Sequence, residues 1–322
     1  MDGSHGIGAK LPFGDVEMKV GIIGCGAVAP KYADAFKVIE NTELVTLCDV
    51  DAKQIRELNK SYGLYPHLYL DYKKMLELND LDLISICTPP DTHAEIAIQC
   101  AEANVNVLCE KPIHITLRRA QAMVNAFERS SAKLSIIFQN RWNPDVQRLK
   151  EEAYKDWQPI KAAMTVNWYR PDSYFEDWKG VLELGGDIVF NQIIHHLDIL
   201  RFIFGEVHSL FAYTRNTRPE VISCMDVCTA VLEFKSGMIA TLDATINCYP
   251  ENERTELTVI TDKGPISIVP KGTSHLHQIT HVIESLKEGK QPEVGGLDAI
   301  ESLKLALAIH ESAEWRREVY IE

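Results

Sequence analysis

The sequence has no long hydrophobic run, no basic run and an excess of acidic residues. No window reaches the roughly 18 consecutive apolar residues of a membrane-spanning helix, and no basic segment leads into an apolar one near the N-terminus, as in a secretory signal. Asp and Glu number 46 against 33 Lys and Arg, which gives a net charge of -13. Because this charge repels phosphate backbones, nucleic acid is excluded as an expected partner. We expect a cytoplasmic protein with neither a membrane nor a nucleic-acid partner.

The sequence also lacks the paired cysteines of a zinc site. Cys224 and Cys228 share one strand-like run with no second pair to complete a metal site, so no metal is expected. Five further cysteines lie inside apolar strand-like or helical patterns, which favours buried reduced thiols over disulfides. They are Cys25, Cys48, Cys87, Cys100 and Cys109.

The pattern of apolar and polar residues along the chain predicts an α/β protein with two domains. Residues 1–17 are Gly-rich and patternless, as in a flexible leader or an added segment before a natural start at Met18. Residues 18–139 alternate short apolar runs with amphipathic stretches, which indicates a doubly wound parallel sheet of the Rossmann type. Residues 140–322 contain longer alternating runs joined by turn-like stretches. They predict a C-terminal α/β domain built on an open, largely antiparallel sheet, with a long helix near 187–204.

A glycine motif follows the first predicted strand. Gly24, Gly26 and Ala29 occupy the G-x-G-x-x-G/A positions between a strand and a helix. Small residues here allow a tight turn and let the amide groups of the loop, including Ala27 and Val28, face a pyrophosphate at the helix N-terminus. A glycine turn that holds no ligand is the alternative.

An acidic residue ends the second predicted strand. The Asp49 carboxylate would accept hydrogen bonds from the adenosine ribose hydroxyls and repel a 2'-phosphate, so the expected cofactor is NAD and NADP is disfavoured. Lys53 lies close enough in sequence to soften this preference.

Two further strand ends carry polar residues, at Thr88-Pro89-Pro90 and at Glu110-Lys111-Pro112. Ligands of open α/β sheets lie outside the carboxyl ends of the strands. Lys111 follows an apolar strand directly and precedes a proline, so we expect a desolvated amine with a lowered pKa that serves as proton partner or oxyanion stabiliser. A solvated surface lysine is an equally weighted alternative.

A second polar constellation lies on the predicted long helix. Asn191, His195 and Asp198 share one face at helical spacing. An isolated histidine is usually a satisfied core residue, and the polar neighbours favour a functional role here. His195 and His196 have no matching carboxylate or thiol cluster for a metal.

The glycine motif, Glu110-Lys111-Pro112 and Gly185-Gly186 with His195 and Asp198 resemble the glucose-fructose oxidoreductase, inositol dehydrogenase and rhizopine catabolism family (Gfo/Idh/MocA). The likeness runs from Met18 almost to the C-terminus. It implies a two-domain NAD(P)-dependent oxidoreductase of sugars or cyclitols. By this resemblance Lys111 hydrogen-bonds the substrate oxygen, and His195 exchanges its proton while hydride moves to or from the nicotinamide.

One residue departs from the common family pattern. Many members carry aspartate one helical turn before the histidine, whereas this chain has Asn191, which would orient substrate hydroxyls or Lys111 without accepting a proton. The sequence NQxIHxxD resembles a branch that acts on pyranosides and nucleotide-linked sugars, and inositol is correspondingly disfavoured.

Aromatic and charged residues flank these motifs and suit a carbohydrate, because aromatic faces stack on sugar rings and polar groups satisfy hydroxyls. The expected substrate contacts are Lys111, Arg141, Trp168, Arg170, Tyr174, Asn191 and His195. Sheet-edge aromatics with surface charges are the alternative. We expect His93 on the nicotinamide side, and Thr88, Pro89 and Glu110 beside the cofactor.

The predicted function is NAD-dependent oxidation of a secondary hydroxyl of a sugar or glycoside, or the reverse reduction, with position 3 of a pyranose assigned from resemblance alone. Two alternatives are a glycoside-cleaving enzyme that oxidises its substrate transiently with bound NAD, and a non-catalytic NAD(H)-binding regulatory protein. The family resemblance implies a homodimer or homotetramer, with the open sheet as subunit interface.

Overall fold

The computed structural model describes residues 18–62, 67–77, 80–270 and 275–322, so the predicted leader at 1–17 lies outside the described residues. The predicted α/β class is confirmed by two sheets. The first has six parallel strands in the order β3-β2-β1-β4-β5-β6. They are β1 (Met18–Ile23), β2 (Thr42–Cys48), β3 (His67–Tyr69), β4 (Leu83–Ile86), β5 (Asn106–Cys109) and β6 (Leu134–Ile136).

Helices cover both faces of this sheet, which explains why its central strands are mostly apolar and buried. All four residues of β4 are buried. The helices are α1 (Ala29–Val38), α2 (Ala52–Tyr62), α3 (Tyr72–Leu76), α4 (His93–Glu102) and α5 (Leu117–Glu128). The strand order reverses between β1 and β4, and ligands of such sheets bind at that point, beyond the strand carboxyl ends.

The second sheet has seven strands in the order β12-β11-β7-β10-β9-β8-β13. Among its described pairs, β7 with β10 is parallel and the others are antiparallel, as predicted for a largely antiparallel sheet. The strands are β7 (Pro159–Asn167), β8 (Val207–Arg215), β9 (Val227–Phe234), β10 (Ile239–Thr245), β11 (Arg254–Thr261), β12 (Gly264–Ile268) and β13 (Val319–Tyr320). Burial alternates along β9, so one face meets helices and the other is open.

The remaining helices are α6 (Pro144–Glu152), α7 (Ile194–Phe204), α8 (His275–Lys287) and α9 (Gly296–Trp315). The predicted long helix near 187–204 is present, but its first part, Ile188–Ile193, is π-helical and only α7 is α-helical. Asp187 caps the π-helical turn by accepting a hydrogen bond from the Phe190 amide at 2.7 Å.

Helix α8 departs from the predicted domain boundary between residues 139 and 140. We assigned it with the second domain, yet its residues Ile279, Val282 and Ile283 share a hydrophobic core with α1 and β1 of the first. Gln278 fixes this placement, because its side chain donates to the Ile136 oxygen at 2.7 Å and accepts from the Phe138 amide at 2.8 Å. By packing, α8 belongs to the first domain.

The five cysteines predicted as buried thiols are buried and free. Within the described ranges no helix is long and apolar enough to cross a membrane.

Candidate active site

A cavity of about 1230 Å³ lies between the carboxyl edge of the parallel sheet and the second domain. Its size exceeds the roughly 300–1,000 Å³ of a pocket for one small molecule. Both domains contribute to the wall, with Gly24 and Asp49 at one end and Trp168 and Tyr174 at the other. The cavity therefore has room for a dinucleotide and a second ligand.

The glycine loop forms one end of the cavity. Gly24 has φ +92°, and a Cβ there would lie 2.7 Å from the backbone carbonyl of Cys87, so only glycine permits this close approach to the neighbouring loop. A Cβ at Gly26 would meet nothing within 4 Å. Gly26, Ala27 and Val28 therefore border open space at the N-terminus of α1, which is the cradle that a pyrophosphate requires.

The Asp49 carboxylate is held in place beside this loop. Its Oδ2 accepts from the Cys25 amide at 2.7 Å, and its Oδ1 accepts from the Asp51 amide at 2.8 Å. Both contacts fix a negative charge on the cavity wall, where the ribose of a dinucleotide would lie.

Lys111 connects the two domains at the centre of the cavity. Its Nζ donates to the backbone oxygen of Asn191 at 2.7 Å and lies 3.4 Å from Asn191 Oδ1. Burial lowers the pKa of Lys111 to about 8; Glu110 opposes this effect, and Lys31 and Arg170 add to it. The amine keeps its proton at neutral pH and loses it in the mildly alkaline range.

His195 lies in the first turn of α7 and lines the same cavity. Burial, with the charge of Lys111, lowers the pKa of His195 well below its usual range. Its Nδ1 has no hydrogen-bond partner among the described residues, and its ring packs edge-on against Phe138 with 5.8 Å between centroids. His195 is thus neutral at pH 7 and able to accept a proton.

The π-helical turn places two consecutive amides on the cavity wall. Asn191 and Gln192 both donate to the Tyr174 hydroxyl, at 3.1 and 2.9 Å. Arg170 in turn donates to Gln192 Oε1 at 3.2 Å, and its guanidinium lies 4.9 Å from the Trp168 ring centroid. These contacts fix the aromatic wall opposite the parallel sheet.

The Gly185-Gly186 pair lets the loop before the π-helical turn pack closely. A Cβ at Gly186 would lie 2.2 Å from the Trp178 backbone oxygen. Glycine therefore allows the 178–180 turn to approach, and this turn brings Trp178 and Lys179 to the cavity wall.

Glu110 is locked by three donors. Its Oε1 accepts from the Tyr32 hydroxyl at 2.9 Å and lies 3.1 Å from His275 Nε2, while Oε2 accepts from the Lys111 amide at 3.2 Å. Burial raises the pKa of this carboxyl, but the hydrogen bond and charge of His275 outweigh burial and leave it at about 2. Glu110 lines the cavity, and these contacts make it a fixed anion that ties α1 and α8 to the Lys111 turn.

Four expected site residues lie outside the cavity wall, namely Ala29, His93, Arg141 and Arg170. His93 is fully buried, with both ring nitrogens 2.9 Å from the backbone oxygens of Thr88 and Pro112, so the expectation that it lines the nicotinamide side is corrected. Ala29 is buried in the packing of α1. Thr88 and Pro89, by contrast, line the cavity.

We expected Arg141 and Arg170 to contact the substrate, and neither lines the cavity. Arg141 is only 3% exposed, because it is paired with Asp198 in the core. Asp198 therefore faces away from the cavity, although Asn191 and His195 line it. Arg170 lies behind the aromatic wall and supports Gln192.

Several residues of the wall were not among those we predicted. Asn140 lines the cavity, and its buried Oδ1 has no hydrogen-bond partner among the described residues. Gln192 and His196 flank the predicted motif residues, and an adjacent position in sequence was their only signal. Burial lowers the pKa of His196 to about 4, so its ring is neutral. His275 has no signal in sequence that links it to this site.

The arrangement brings a proton donor, Lys111, and a proton acceptor, His195, to one place. The amide side chains of Asn140, Asn191 and Gln192 line the same cavity. Such groups bind hydroxyls, and the donor and acceptor together serve reversible proton exchange at an alcohol or ketone oxygen. No group of three His, Cys, Asp or Glu side chains that could hold a metal ion occurs in the part of the chain that the structure describes.

Comparison with known families identifies both domains. Residues 18–138 match the oxidoreductase family with NAD-binding Rossmann fold (GFO/IDH/MocA), and residues 158–267 match the GFO/IDH/MocA C-terminal domain. These two ranges together span most of the chain.

Characterised relatives cover nearly the whole chain. The sequence is 28% identical to the D-apiose dehydrogenase of Paraburkholderia graminis, over 94% of this chain and 90% of that protein. It is 25% identical to the myo-inositol 2-dehydrogenase of Thermotoga maritima, over 95% of this chain and 99% of that protein. The WlbA dehydrogenase of Bordetella pertussis, solved with NADH and UDP-GlcNAcA, superposes with a TM-score of 0.88 at 26% identity, over 95% of this chain and 99% of that one.

Proposed function

The chain belongs to the GFO/IDH/MocA family of NAD-binding oxidoreductases, and from this premise we propose that it oxidises a secondary hydroxyl of a neutral sugar, glycoside or polyol, or reduces the corresponding ketone. The observation that carries the proposal is the juxtaposition of protonated Lys111 and neutral His195 in one cavity, with the glycine loop and Asp49 at its far end. Lys111, His195 and the dinucleotide cradle thus line a single cavity.

The first domain supplies the residues that would hold NAD. The loop from Gly24 to Val28 would bind the pyrophosphate, Asp49 the adenosine ribose, and Thr88 and Pro89 the nicotinamide side. NAD supplies the hydride acceptor when it is bound. The fixed Asp49 carboxylate supports NAD over NADP, because a 2'-phosphate would meet a negative charge that its two amide contacts hold in place.

Lys111 and His195 divide the proton chemistry. Lys111 donates a hydrogen bond to the reacting oxygen and stabilises the alkoxide that develops there. His195 takes the hydroxyl proton as the carbinol hydrogen leaves as hydride, and it returns that proton when a ketone is reduced. Asn191 holds Lys111 through its backbone oxygen and orients a substrate hydroxyl through its amide.

The cavity wall favours an uncharged polyhydroxy substrate. Asn140, Gln192 and Thr255 present amide and hydroxyl groups, while Trp168 and Tyr174 present aromatic faces. Two cations near the aromatic wall already have partners, since Arg170 supports Gln192 and Lys179 is paired with Asp177. The relatives that act on apiose and on myo-inositol support the same class of substrate. From the family resemblance we predict position 3 of a pyranose as the reacting carbon.

The experiment that tests this function follows NADH absorbance when the protein and NAD meet free sugars, glycosides, nucleotide sugars and inositols, with product masses recorded. Continuous formation of NADH with a product two hydrogens lighter supports the proposal. NADH that rises only to the enzyme concentration while a glycoside is cleaved identifies transient oxidation instead. Tight NAD binding without any reaction identifies a binding protein and refutes the proposal.

The open face of the second sheet supports an oligomer. Apolar side chains are exposed on its strands β8, β9 and β10, including Tyr213, Val231 and Ile239. We propose that a second copy of the chain covers this face, in a homodimer or homotetramer. The double variant V231K/I239K is expected to be monomeric in light scattering, and an unchanged mass would refute this interface.

A further inference from the structure

We propose that Arg141 is a positioning residue that sets the place of His195 relative to Lys111, by fixing α7 to the end of the parallel sheet. This inference rests on the proposed function. Arg141 follows β6 within the helical turn Gln139–Trp142, at the point where the chain leaves the first domain. It touches neither the cavity nor the reacting groups, so it acts through the helix that carries His195.

A buried ionic cluster carries this inference. Arg141 Nε donates to Asp198 Oδ2 at 2.8 Å and its Nη2 donates to Asp198 Oδ1 at 2.6 Å, which is a bidentate pair. The same Nη2 lies 2.6 Å from Asp298 Oδ2. Ser302 on α9 donates to Asp198 Oδ1 at 2.9 Å, and Arg201 on α7 pairs with Asp298. Three separate segments therefore meet at one guanidinium.

The cluster lies one helical turn from His195. Since an α-helix is rigid over such a distance, a displacement at Asp198 moves His195 with it. On the cavity side, Lys111 holds Asn191, which precedes His195 by a similar distance. His195 thus lies between two contacts with the first domain, the Lys111–Asn191 hydrogen bond and the Arg141–Asp198 ion pair. Of the two, the Arg141–Asp198 pair lies outside the cavity.

The segment of the first domain that carries Arg141 is itself held in place. Phe138 donates its amide to Gln278 on α8, and its ring packs against His195. The Arg141 backbone oxygen accepts from Gln147 at 2.7 Å, and its guanidinium lies 4.9 Å from the Phe202 ring centroid. Arg141 therefore connects α7 to a rigid anchor.

Stability alone does not require this ionic arrangement. The side chains of Arg141 and Asp198 are 4% and 1% exposed, so their attraction is offset by the cost of desolvating both charges. Apolar residues of similar volume often fill such a space with equal stability, but they lack the direction of a bidentate pair. What the ion pair adds is orientation of α7.

The test compares R141M, D198L and the double variant R141M/D198L, in which Asp298 keeps its partner Arg201. R141M leaves the buried Asp198 carboxylate without its cation, and D198L leaves Arg141 with Asp298 alone. Each single variant is therefore expected to lower the Tm, whereas the double variant recovers it. If the cluster positions His195, the double variant binds NAD within about twofold of wild type but loses about 100-fold in kcat, with a smaller change in KM. R141K, which keeps the charge without the fork, is expected to lie between.

The exposed pair Arg317 and Glu311 provides the matched control, because it joins similar groups far from the cavity. The variant R317M/E311L is expected to keep wild-type Tm and kcat. A double variant R141M/D198L with wild-type Tm and wild-type kcat overturns the inference. If the double variant does not fold, R141K decides, and an unchanged kcat for R141K overturns it.

Failure of the proposed function is separable from failure of this inference. If wild type converts no compound of the panel, the proposed function fails. Crystal structures of wild type and of the folded variant, R141M/D198L or R141K, then decide the role of the cluster. A displacement of His195 from Lys111 supports it, and an unmoved α7 overturns it.

Discussion

Replacing Lys111 by methionine is expected to abolish most activity while raising stability. Burial lowers the pKa of the amine from 10.5 to about 8, so holding the proton at pH 7 costs the folded state about 3 kcal/mol, at 1.36 kcal/mol per pKa unit. Because the side chain keeps some contact with solvent, we reduce this to about 2 kcal/mol. Removing the amine therefore stabilises the folded state by about 2 kcal/mol, and losing its hydrogen bond to Asn191 offsets about 1 kcal/mol of this stabilisation.

Lys111→Met is therefore expected to raise the free energy of unfolding by about 1 kcal/mol, which is about 1–2 °C in Tm for a chain of this length. Removing the donor at the developing oxyanion is expected to lower kcat by about 10²–10³-fold, with the Kd for NAD nearly unchanged. Differential scanning calorimetry, NAD titration and single-turnover NADH absorbance measure the three quantities. Lys37→Met, at an exposed position of α1, is the control and should alter none of them. A lower Tm with retained turnover would refute the reasoning on both counts.

Further predictions concern pH, cofactor choice and the residues around Lys111. Activity in the oxidation direction should fall as pH rises through about 8, because Lys111 then loses the positive charge that stabilises the developing alkoxide; a pH profile that is flat to pH 10 contradicts this. NADP should bind much more weakly than NAD, and Asp49→Ala should narrow the gap, so equal Kd values in wild type refute the role of Asp49. Asn191→Ala should slow turnover without moving the pH optimum, and a shifted optimum would mean that Asn191 takes part in proton transfer. Glu110→Gln should flatten the acid side of the stability curve. The pKa of Glu110 is about 2 in the folded state, below its value in the unfolded chain, so this carboxylate contributes about 3 kcal/mol of stability that is lost as pH falls from 5 to 2. Urea unfolding at pH 5 and pH 2 measures this loss, and an equal loss in wild type and in Glu110→Gln refutes the role of Glu110.

The sequence predicted the parts of the site that depend on local patterns. Gly24 and Asp49 follow apolar strands, and the carboxyl ends of parallel strands meet at one edge whatever the rest of the chain does. Lys111 was predicted for the same reason. The strands and helices of the first domain also follow from short apolar runs and amphipathic periods.

Side-chain direction within turns was not predictable in this way. Asn140 and Arg141 are neighbours on one helical turn, and we expected the cation to face the substrate. The distant Asp198 pairs with Arg141 in the core, and Asn140 lines the cavity instead. His275 escaped notice because its partner Glu110 is remote in sequence. The π-helical turn was missed since its apolar pattern is read equally well as an α-helix.

The return of α8 to the first domain bears on how the chain folds. A polypeptide ending at residue 139 would leave the apolar surface of α1 and β1 uncovered, because Ile279, Val282 and Ile283 come from far later in the chain. The dinucleotide-binding half is thus completed only after the second half has been synthesised. The two halves should therefore unfold in one cooperative transition.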